Sequence, residues 1–389
     1  MFVLLLTVFV DLVGFGIVLP ILPFYAQAYD ASAVQITLLV SVHSGMQIIS
    51  SPIWGRLSDR YGRKNILLLT LAGGGLAFLW FGYAGSLMGL FLARGLSGAM
   101  AGNIAVAQAY LADITTTEDR AGAMGRFGAA FGLGFVVGPV LGGLMIGAQP
   151  SLNDFALPCL VAAAFSLAAI VLGLIMLREP QRRQSKEGGK TRLGQLAAAV
   201  RANGIPPIIG LNFLVTFAFT ALMALLPLWC QARLGWGPPE VSYAYAYIGL
   251  LVAALHGLLV GPLTRTFGER RLLFLGAISL STGMLSMPWI DGIASFAGVV
   301  LLLCMGTSFC HPVLTAMISQ RADGDHQGTV MGATSSIAAL GRICSPPLAG
   351  LLFSQLGPNW PMLMGGIIVL PVAVAAAWMS LKFERRQDQ

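Results

Sequence analysis

One carboxylate, Asp11, falls inside the apolar run FVLLLTVFVDLVGFGIVLPILPFYA. Of the 16 Asp and Glu residues, it alone cannot be placed in a loop or at a helix end. An acid near the centre of a membrane-crossing helix costs about 2.5–3.5 kcal/mol, so by default it marks an ion or proton pathway. A second ionisable group, Arg94, interrupts Leu92-Ala93-Arg94-Gly95-Leu96-Ser97-Gly98. His43 and Gln47, four residues apart, share one helical face. Asn103, Gln108, Asn212, Gln231 and Gln320 are further polar groups that could line a cavity. His256 and His311 can each be read as a packed, hydrogen-bonded residue or as a proton carrier. Met46, Met100, Phe127, Phe213, Phe217, Phe219 and Met223 could form an adaptable apolar wall or serve as ordinary core. The five cysteines (Cys159, Cys230, Cys304, Cys310, Cys344) show no CxxC and an odd count, which predicts buried free thiols and no metal site. No GxxxxGK[ST] phosphate loop and no nucleophile constellation occurs, so neither ATP-driven transport nor an enzyme is expected.

The elements that must hold these groups are membrane helices. Only 10% of the 389 residues are charged and 56% are hydrophobic, against about 25% charged in a soluble domain. Apolar stretches run over residues 1–25, 33–54, 65–84, 86–111, 121–148, 155–177, 206–232, 238–262, 272–290, 293–319, 328–354 and 359–381. Each is near the ~20 residues needed to cross ~30 Å of hydrocarbon, and the 48 glycines suit close helix–helix approach. With both termini in the cytoplasm, all of the 23 Lys and Arg except Arg94, Arg233 and Arg342 lie on the inner side, as the positive-inside rule requires. The net charge of +7 then describes a membrane face, and no nucleic-acid partner is implied. Ala26-Gln27-Ala28 looks like a signal cleavage site, but there is no basic region before it and the apolar run is too long, so no cleaved leader is expected. By residue rise, Asp11 lies about 16 Å from the inner face and Arg94 about 12 Å from the outer one. In a ~30 Å core that predicts a charge pair or a shared water between them, whether titrating or static.

The chain also repeats itself. Gly55-Arg56-Leu57-Ser58-Asp59-Arg60-Tyr61-Gly62-Arg63-Lys64 returns as Gly261-Pro262-Leu263-Thr264-Arg265-Thr266-Phe267-Gly268-Glu269-Arg270, 206 residues on. Gly134, Pro139 and Gly143 return as Gly341, Pro346 and Gly350. Six segments separate the copies, which makes them parallel repeats, and such repeats place a substrate site near the midplane and work by rocking. The expected domains are an N-terminal bundle over 1–178, a cytoplasmic linker over 179–205 and a C-terminal bundle over 206–389. Within the linker, Leu193, Leu196, Ala197 and Val200 share a face beside Arg192 and Arg201. They read equally as a helix on the inner membrane surface or as a solvated connector.

The GRLSDRYGRK stretch resembles the signature loop of the major facilitator superfamily, placed as that family has it. Gly55 and Gly62 would permit a tight turn, with Asp59, Arg60, Arg63 and Lys64 charging an inner gate. The resemblance implies that the acid docks on the start of the eleventh helix, near Gln327 and Gly328, where the dipole favours it. It also implies that a loop arginine pairs with Asp113. The second copy has Arg265 in place of the acid, so a full gate is expected only in the first half. Gly134, Gly138, Pro139, Gly142 and Gly143 resemble the fifth-helix motif of the superfamily's antiporters; the small residues allow close approach and Pro139 can kink the helix. The run from His256 through GPLTRTFGERR is similar to the tetracycline exporters. These carry further membrane acids in the third and ninth helices, and here Asn65–Ala84 and Arg271–Ile290 contain none.

The expectation is an all-α integral membrane protein of twelve helices in two six-helix bundles. It would be a monomeric drug:proton antiporter of a bacterial inner membrane, driven by the proton gradient, without metal or cofactor. Asp11 would couple the proton and Arg94 would tune it. Substrates would be lipophilic or cationic drugs, with tetracycline a candidate. An exporter of a sugar, amino acid or lipid, and a non-transporting receptor, are the alternatives.

Overall fold

A computed structural model of the chain describes residues 1–116, 119–180, 204–322 and 327–387, with side chains undescribed at 120, 121, 327–329 and 380–387. The structure is helical throughout: α1 (Phe2–Gln27), α2 (Ala33–Tyr61), α3 (Arg63–Gly82), α4 (Leu87–Met100), α5 (Asn103–Asp113), α6 (Arg120–Met145) and α7 (Ala156–Met176). Then come α8 (Ile205–Leu234), α9 (Pro238–Ala254), α10 (Val260–Ser286), α11 (Ile293–Arg321), α12 (Gln327–Leu356) and α13 (Trp360–Gln387). The stretch Leu193–Val200, read equally as a surface helix or a solvated connector, lies outside the described residues. So does the acid–helix docking at Gln327 and Gly328, whose side chains are not described.

Among the described residues, eleven helical stretches are long and apolar enough to cross a membrane. One of them, Pro238–Trp289, has 52 residues. At 1.5 Å per residue it would be about 78 Å long, more than twice the ~30 Å hydrocarbon thickness. Gly268, at φ 76° and ψ 158°, breaks it into two crossings, which brings the total to twelve.

Local sequence explains where helices start. Ser32 accepts from the Gln35 N–H while the Gln35 side chain accepts from the Ser32 N–H, a capping box that opens α2. Ser86 accepts from the Gly89 N–H at the start of α4.

The signature stretch is not a loop. Helix α2 runs through Gly55 to Tyr61, and α3 begins at Arg63. Gly62 alone breaks the helix, at φ 102°, a left-handed value that glycine adopts without a Cβ penalty. Gly55 lies inside α2, and a Cβ there would meet nothing within 4 Å; it makes no turn. In the second copy the break likewise falls on the last glycine, Gly268. A charged run ends a hydropathy segment without ending a helix.

The chain divides into two compact units, Met1–Gln184 with Pro227–Ala253 and Ser185–Leu226 with Ala254–Gln389. In the first, Leu4, Val8, Leu12, Leu67, Leu71, Val106, Leu111 and Phe127 form one buried cluster joining α1, α3, α5 and α6. Glycines set the tightest approaches, as expected where lipid removes the hydrophobic drive between helices. A Cβ at Gly82 would lie 2.9 Å from that of Cys159 (α3 on α7), and one at Gly249 would lie 2.9 Å from the Phe135 carbonyl oxygen (α9 on α6). In the second unit, Gly276 meets Phe309 and Gly283 meets Leu303 where α10 packs on α11. All five cysteines are free; Cys159, Cys230, Cys304 and Cys310 are buried and Cys344 is exposed.

Candidate functional site

The environment of Asp11 is built by a break in the fourth crossing. Helix α4 ends at Met100 and α5 starts at Asn103, leaving carbonyls near the break without their usual helical partners. Side chains of α2 supply donors there. The Trp54 indole N–H donates to the Ala99 oxygen at 2.6 Å, Ser50 to Gly98 at 3.3 Å and Gln47 to Ala101 at 3.4 Å. Gly98 and Gly102 make room for this, since a Cβ at Gly98 would strike the backbone of His43 and one at Gly102 would strike the Trp54 ring.

The break puts Asn103 on the first turn of α5, where its amide donates to the Asp11 carboxylate at 2.6 Å. A hydrogen bond to a charged group is worth about 1.5–3 kcal/mol, of the same order as the cost of placing the acid in the membrane. Beside them is a small recess of about 10 Å³, room for one water at most, lined by Thr7, Asp11 and Asn103 together with Val8, Leu12, Leu67, Leu71 and Ile104. One acid, one amide and one hydroxyl converge there among aliphatic walls, which suits a proton or a water better than a large ligand.

Arg94 does not pair with Asp11. Among the described residues the ion pairs are those of Arg63, and the partner of Asp11 is Asn103. Depth counting placed the two charges at one level but could not show that Asn103 would occupy the carboxylate. Arg94 is only 2% exposed. Its guanidinium carbon lies 6.0 Å from the centroid of the Phe15 ring, within cation–π range, and its Nε has no hydrogen-bond partner. His43, 8% exposed, packs its ring 5.5 Å from that of Phe15, and its Nδ1 is also unpartnered.

At the basic end of the first unit, Arg63 gathers three groups. Its guanidinium lies 2.6 Å from Asp59 and 2.9 Å from Asp113, and donates to the Ser58 hydroxyl at 2.7 Å. The Asp113 side chain is 19% exposed and that of Asp59 62%, so solvent screens the first pair less than the second. Arg60 instead lies 5.3 Å from the Tyr61 ring centroid. Glu179 was not singled out by sequence. Its two carboxylate oxygens accept from the Arg63 N–H at 2.5 Å and the Lys64 N–H at 3.0 Å, capping the N-terminus of α3 where the helix dipole favours an anion. Lys64 donates through Nζ to the Leu174 carbonyl at 3.0 Å, and the Tyr110 hydroxyl bonds to the Arg178 carbonyl. The far end of α7 is thereby tied to the break at Gly62.

The α6 glycines form a seam against α1. Cβ atoms at Gly134, Gly138 and Gly142 would lie 2.7 Å from Leu12 Cβ, 2.6 Å from the Val13 oxygen and 2.7 Å from the Ile17 oxygen. Gly143 faces the other way, 2.8 Å from Ser242 Cβ on α9, and Pro139 abuts Gly16 of α1. In the second unit, the buried Asn212 keeps an unpartnered amide oxygen. The Phe217 ring lies 5.7 Å from that of Phe213, and the Ser345 hydroxyl donates to the Phe217 carbonyl at 2.6 Å. His311 lies within electrostatic reach of His256 and Arg342, and His256 falls in a short π-helical turn, Leu255–Leu259. Among the described residues no cluster of His, Cys, Asp and Glu could hold a metal.

Twelve helical crossings, with a half-buried carboxylate on the first and a buried guanidinium on the fourth, define a polytopic membrane protein of the transporter kind. Comparison makes this specific. The model of the Major Facilitator Superfamily matches residues 4–343 and, in a second match, 295–388, and the chain belongs to that superfamily, a family of transporters and not of enzymes. The class C tetracycline resistance protein of Escherichia coli is 30% identical over 97% of this chain and 96% of its own length. Multidrug resistance protein 2 of Bacillus subtilis is 29% identical over 98% of this chain and 95% of its own. Among solved structures, the nucleoside transporter NupG has the same fold, with a TM-score of 0.81 at 13% identity over 97% of this chain and 99% of that one.

Proposed function

We propose that this protein exports lipophilic, drug-like small molecules from a bacterial cytoplasm in exchange for protons, by rocking between two access states. The observation that carries the reading is Asp11: an acid in the middle of an apolar crossing, held by Asn103 at the edge of a small recess with aliphatic walls. A charged Asp11 sealed from water carries a penalty of about 2.5–3.5 kcal/mol, of which the Asn103 bond offsets part, and a proton removes the remainder. Crossing the sealed state between the two access states is therefore favoured with Asp11 protonated or neutralised by a cationic substrate, and the acid exchanges its partner where it faces water on either side. The relatives named for tetracycline and multidrug resistance support a drug substrate, with tetracycline a candidate.

In this reading the two halves, 1–178 and 206–389, rock about the linker 179–205. Asp59, Arg60, Arg63, Lys64 and Asp113 form the cytoplasmic gate around the Gly62 break. The Gly134–Gly143 seam holds α6 against α1. His43, Gln47, Asn103, Asn212, Phe217, His256 and His311 contribute to the path of the substrate. The test is efflux from energised inverted vesicles, with lumenal pH reported, for wild type and Asp11→Asn. Substrate-dependent proton release that disappears in the variant is expected. Full-rate transport in Asp11→Asn with an unchanged pH dependence would sink the assignment.

A further inference from the structure

We propose that Arg94 is the docking point for a negatively charged group on the transported molecule, so that the preferred substrates are planar aromatic acids and not lipophilic cations. The inference rests on the reading of the chain as an exporter of small molecules and narrows their chemistry. A guanidinium is never neutral at working pH, and a buried one is retained where it is paired. Arg94 is 2% exposed, yet among the described residues no carboxylate lies within ion-pair distance of it. The one membrane acid that could serve, Asp11, is bonded to Asn103 and faces the recess on the α3 and α5 side. Among the described residues the guanidinium thus has no balancing carboxylate, which leaves it open to an anion brought by a ligand.

The surroundings indicate its shape. The face of Arg94 is covered by Phe15, whose ring also meets His43 at 5.5 Å and Phe135 at 5.9 Å. The aromatic strip continues from Phe135 to Phe131, stacked at 5.0 Å with 17° between the rings. Phe15, Phe131 and Phe135 are all only partly buried, so the strip has open π surface. A flat ring system laid along it would bring a carboxylate to Arg94, where the unpartnered Nε offers one edge of the fork that binds carboxylates bidentately. The unpartnered Nδ1 of His43 is a second polar atom at the same end. Asp11 and Phe15 are four residues apart on α1, so the proton and anion sites neighbour each other on one helix yet hold different partners. A cationic substrate would meet Arg94 as a like charge.

The test compares two xanthene dyes of similar shape, the carboxylate fluorescein and the cationic ester rhodamine 123. Their binding to the purified full-length protein is read by fluorescence polarisation. Wild type is expected to bind fluorescein about tenfold or more tightly than rhodamine 123; Arg94→Gln should lose about tenfold for fluorescein and little for rhodamine 123. Arg94→Lys, which keeps the charge without the fork, should fall between them. A second measurement needs no variant: benzoate should displace fluorescein from wild type and benzyltrimethylammonium should not. Equal or tighter binding of rhodamine 123, or no displacement by benzoate, overturns the proposal. Displacement of fluorescein by physiological chloride overturns it too, since Arg94 would then be a halide site. The exporter reading fails separately: fluorescein bound through Arg94 without proton-driven flux refutes export and leaves this site standing. Proton-coupled flux confined to rhodamine 123 does the reverse.

Discussion

Replacing Gly138 by alanine places a methyl carbon 2.6 Å from the Val13 carbonyl oxygen and 2.7–2.8 Å from the backbone of Gly16. The shortest of these is some 0.8 Å inside the 3.4 Å at which ordinary contact begins. All three neighbours are backbone atoms, so no side chain can swing aside and α1 itself must retreat. Overpacking of this kind costs about 1–3 kcal/mol, and a rigid neighbour puts it at the upper end. Alanine regains about 0.8–1.0 kcal/mol of helix propensity over glycine, which leaves a net loss of about 2 kcal/mol. Gly128 provides the contrast within the same helix, since a Cβ there meets nothing within 4 Å. Gly128→Ala should therefore keep the propensity gain and stabilise by up to about 1 kcal/mol. Thermal unfolding of the two purified variants in one detergent should move in opposite directions, with Gly132→Ala, in ordinary contact at 3.5 Å, resembling Gly128→Ala. Because Val13 lies two residues from Asp11, Gly138→Ala should also disturb the Asn103 bond and lower transport. Equal shifts at positions 128 and 138 would refute the claim that backbone contact with α1 sets the α6 seam.

Two further outcomes follow from the basic end of the first unit. A double-mutant cycle between Arg63→Ala and Asp113→Ala, read by thermal or denaturant unfolding, should give a coupling of about 1.5–3 kcal/mol for a shielded, charge-assisted bond. The same cycle with the exposed Asp59 should give under about 1 kcal/mol, and added salt should weaken only that one. Glu179→Gln keeps one of the two acceptor oxygens and loses the charge, and Glu179→Ala removes the cap. Hydrogen exchange at the Arg63 and Lys64 amides should quicken slightly in the first and by roughly fivefold in the second, for a cap worth about 1 kcal/mol.

Twelve crossings and a twofold repeat were readable from hydropathy and glycine spacing because lipid imposes length and apolarity on every helix. Segment ends were read too short wherever charge continued a helix past the membrane: the second runs to Tyr61 and not to 54. The break between Met100 and Asn103 was not legible, because it depends on Trp54, Gln47 and Ser50 on another helix. Its consequence could have been counted. Asn103 lies ten residues from the inner end of its span, about 15 Å at 1.5 Å per residue, the depth estimated for Asp11. Measuring from the outer end favoured Arg94 instead. The Arg63–Asp113 contact followed from a family resemblance and is present in the geometry. Glu179 escaped notice because it lies 117 positions from the glycine it serves, in a stretch read only as linker.

The distribution of the thiols has a practical side. Cys159, Cys230, Cys304 and Cys310 are at most 1% exposed, and Cys344 alone is open. The native chain therefore has one thiol that its own side chains leave open, near the middle of the α12 crossing between Arg342 and Ser345, whose hydroxyl holds the Phe217 carbonyl. A maleimide dye would reach it only in a state that admits water to that depth. A fluorophore there would watch α12 from a chain with every cysteine still in place, sparing the engineering that single-molecule spectroscopy usually demands.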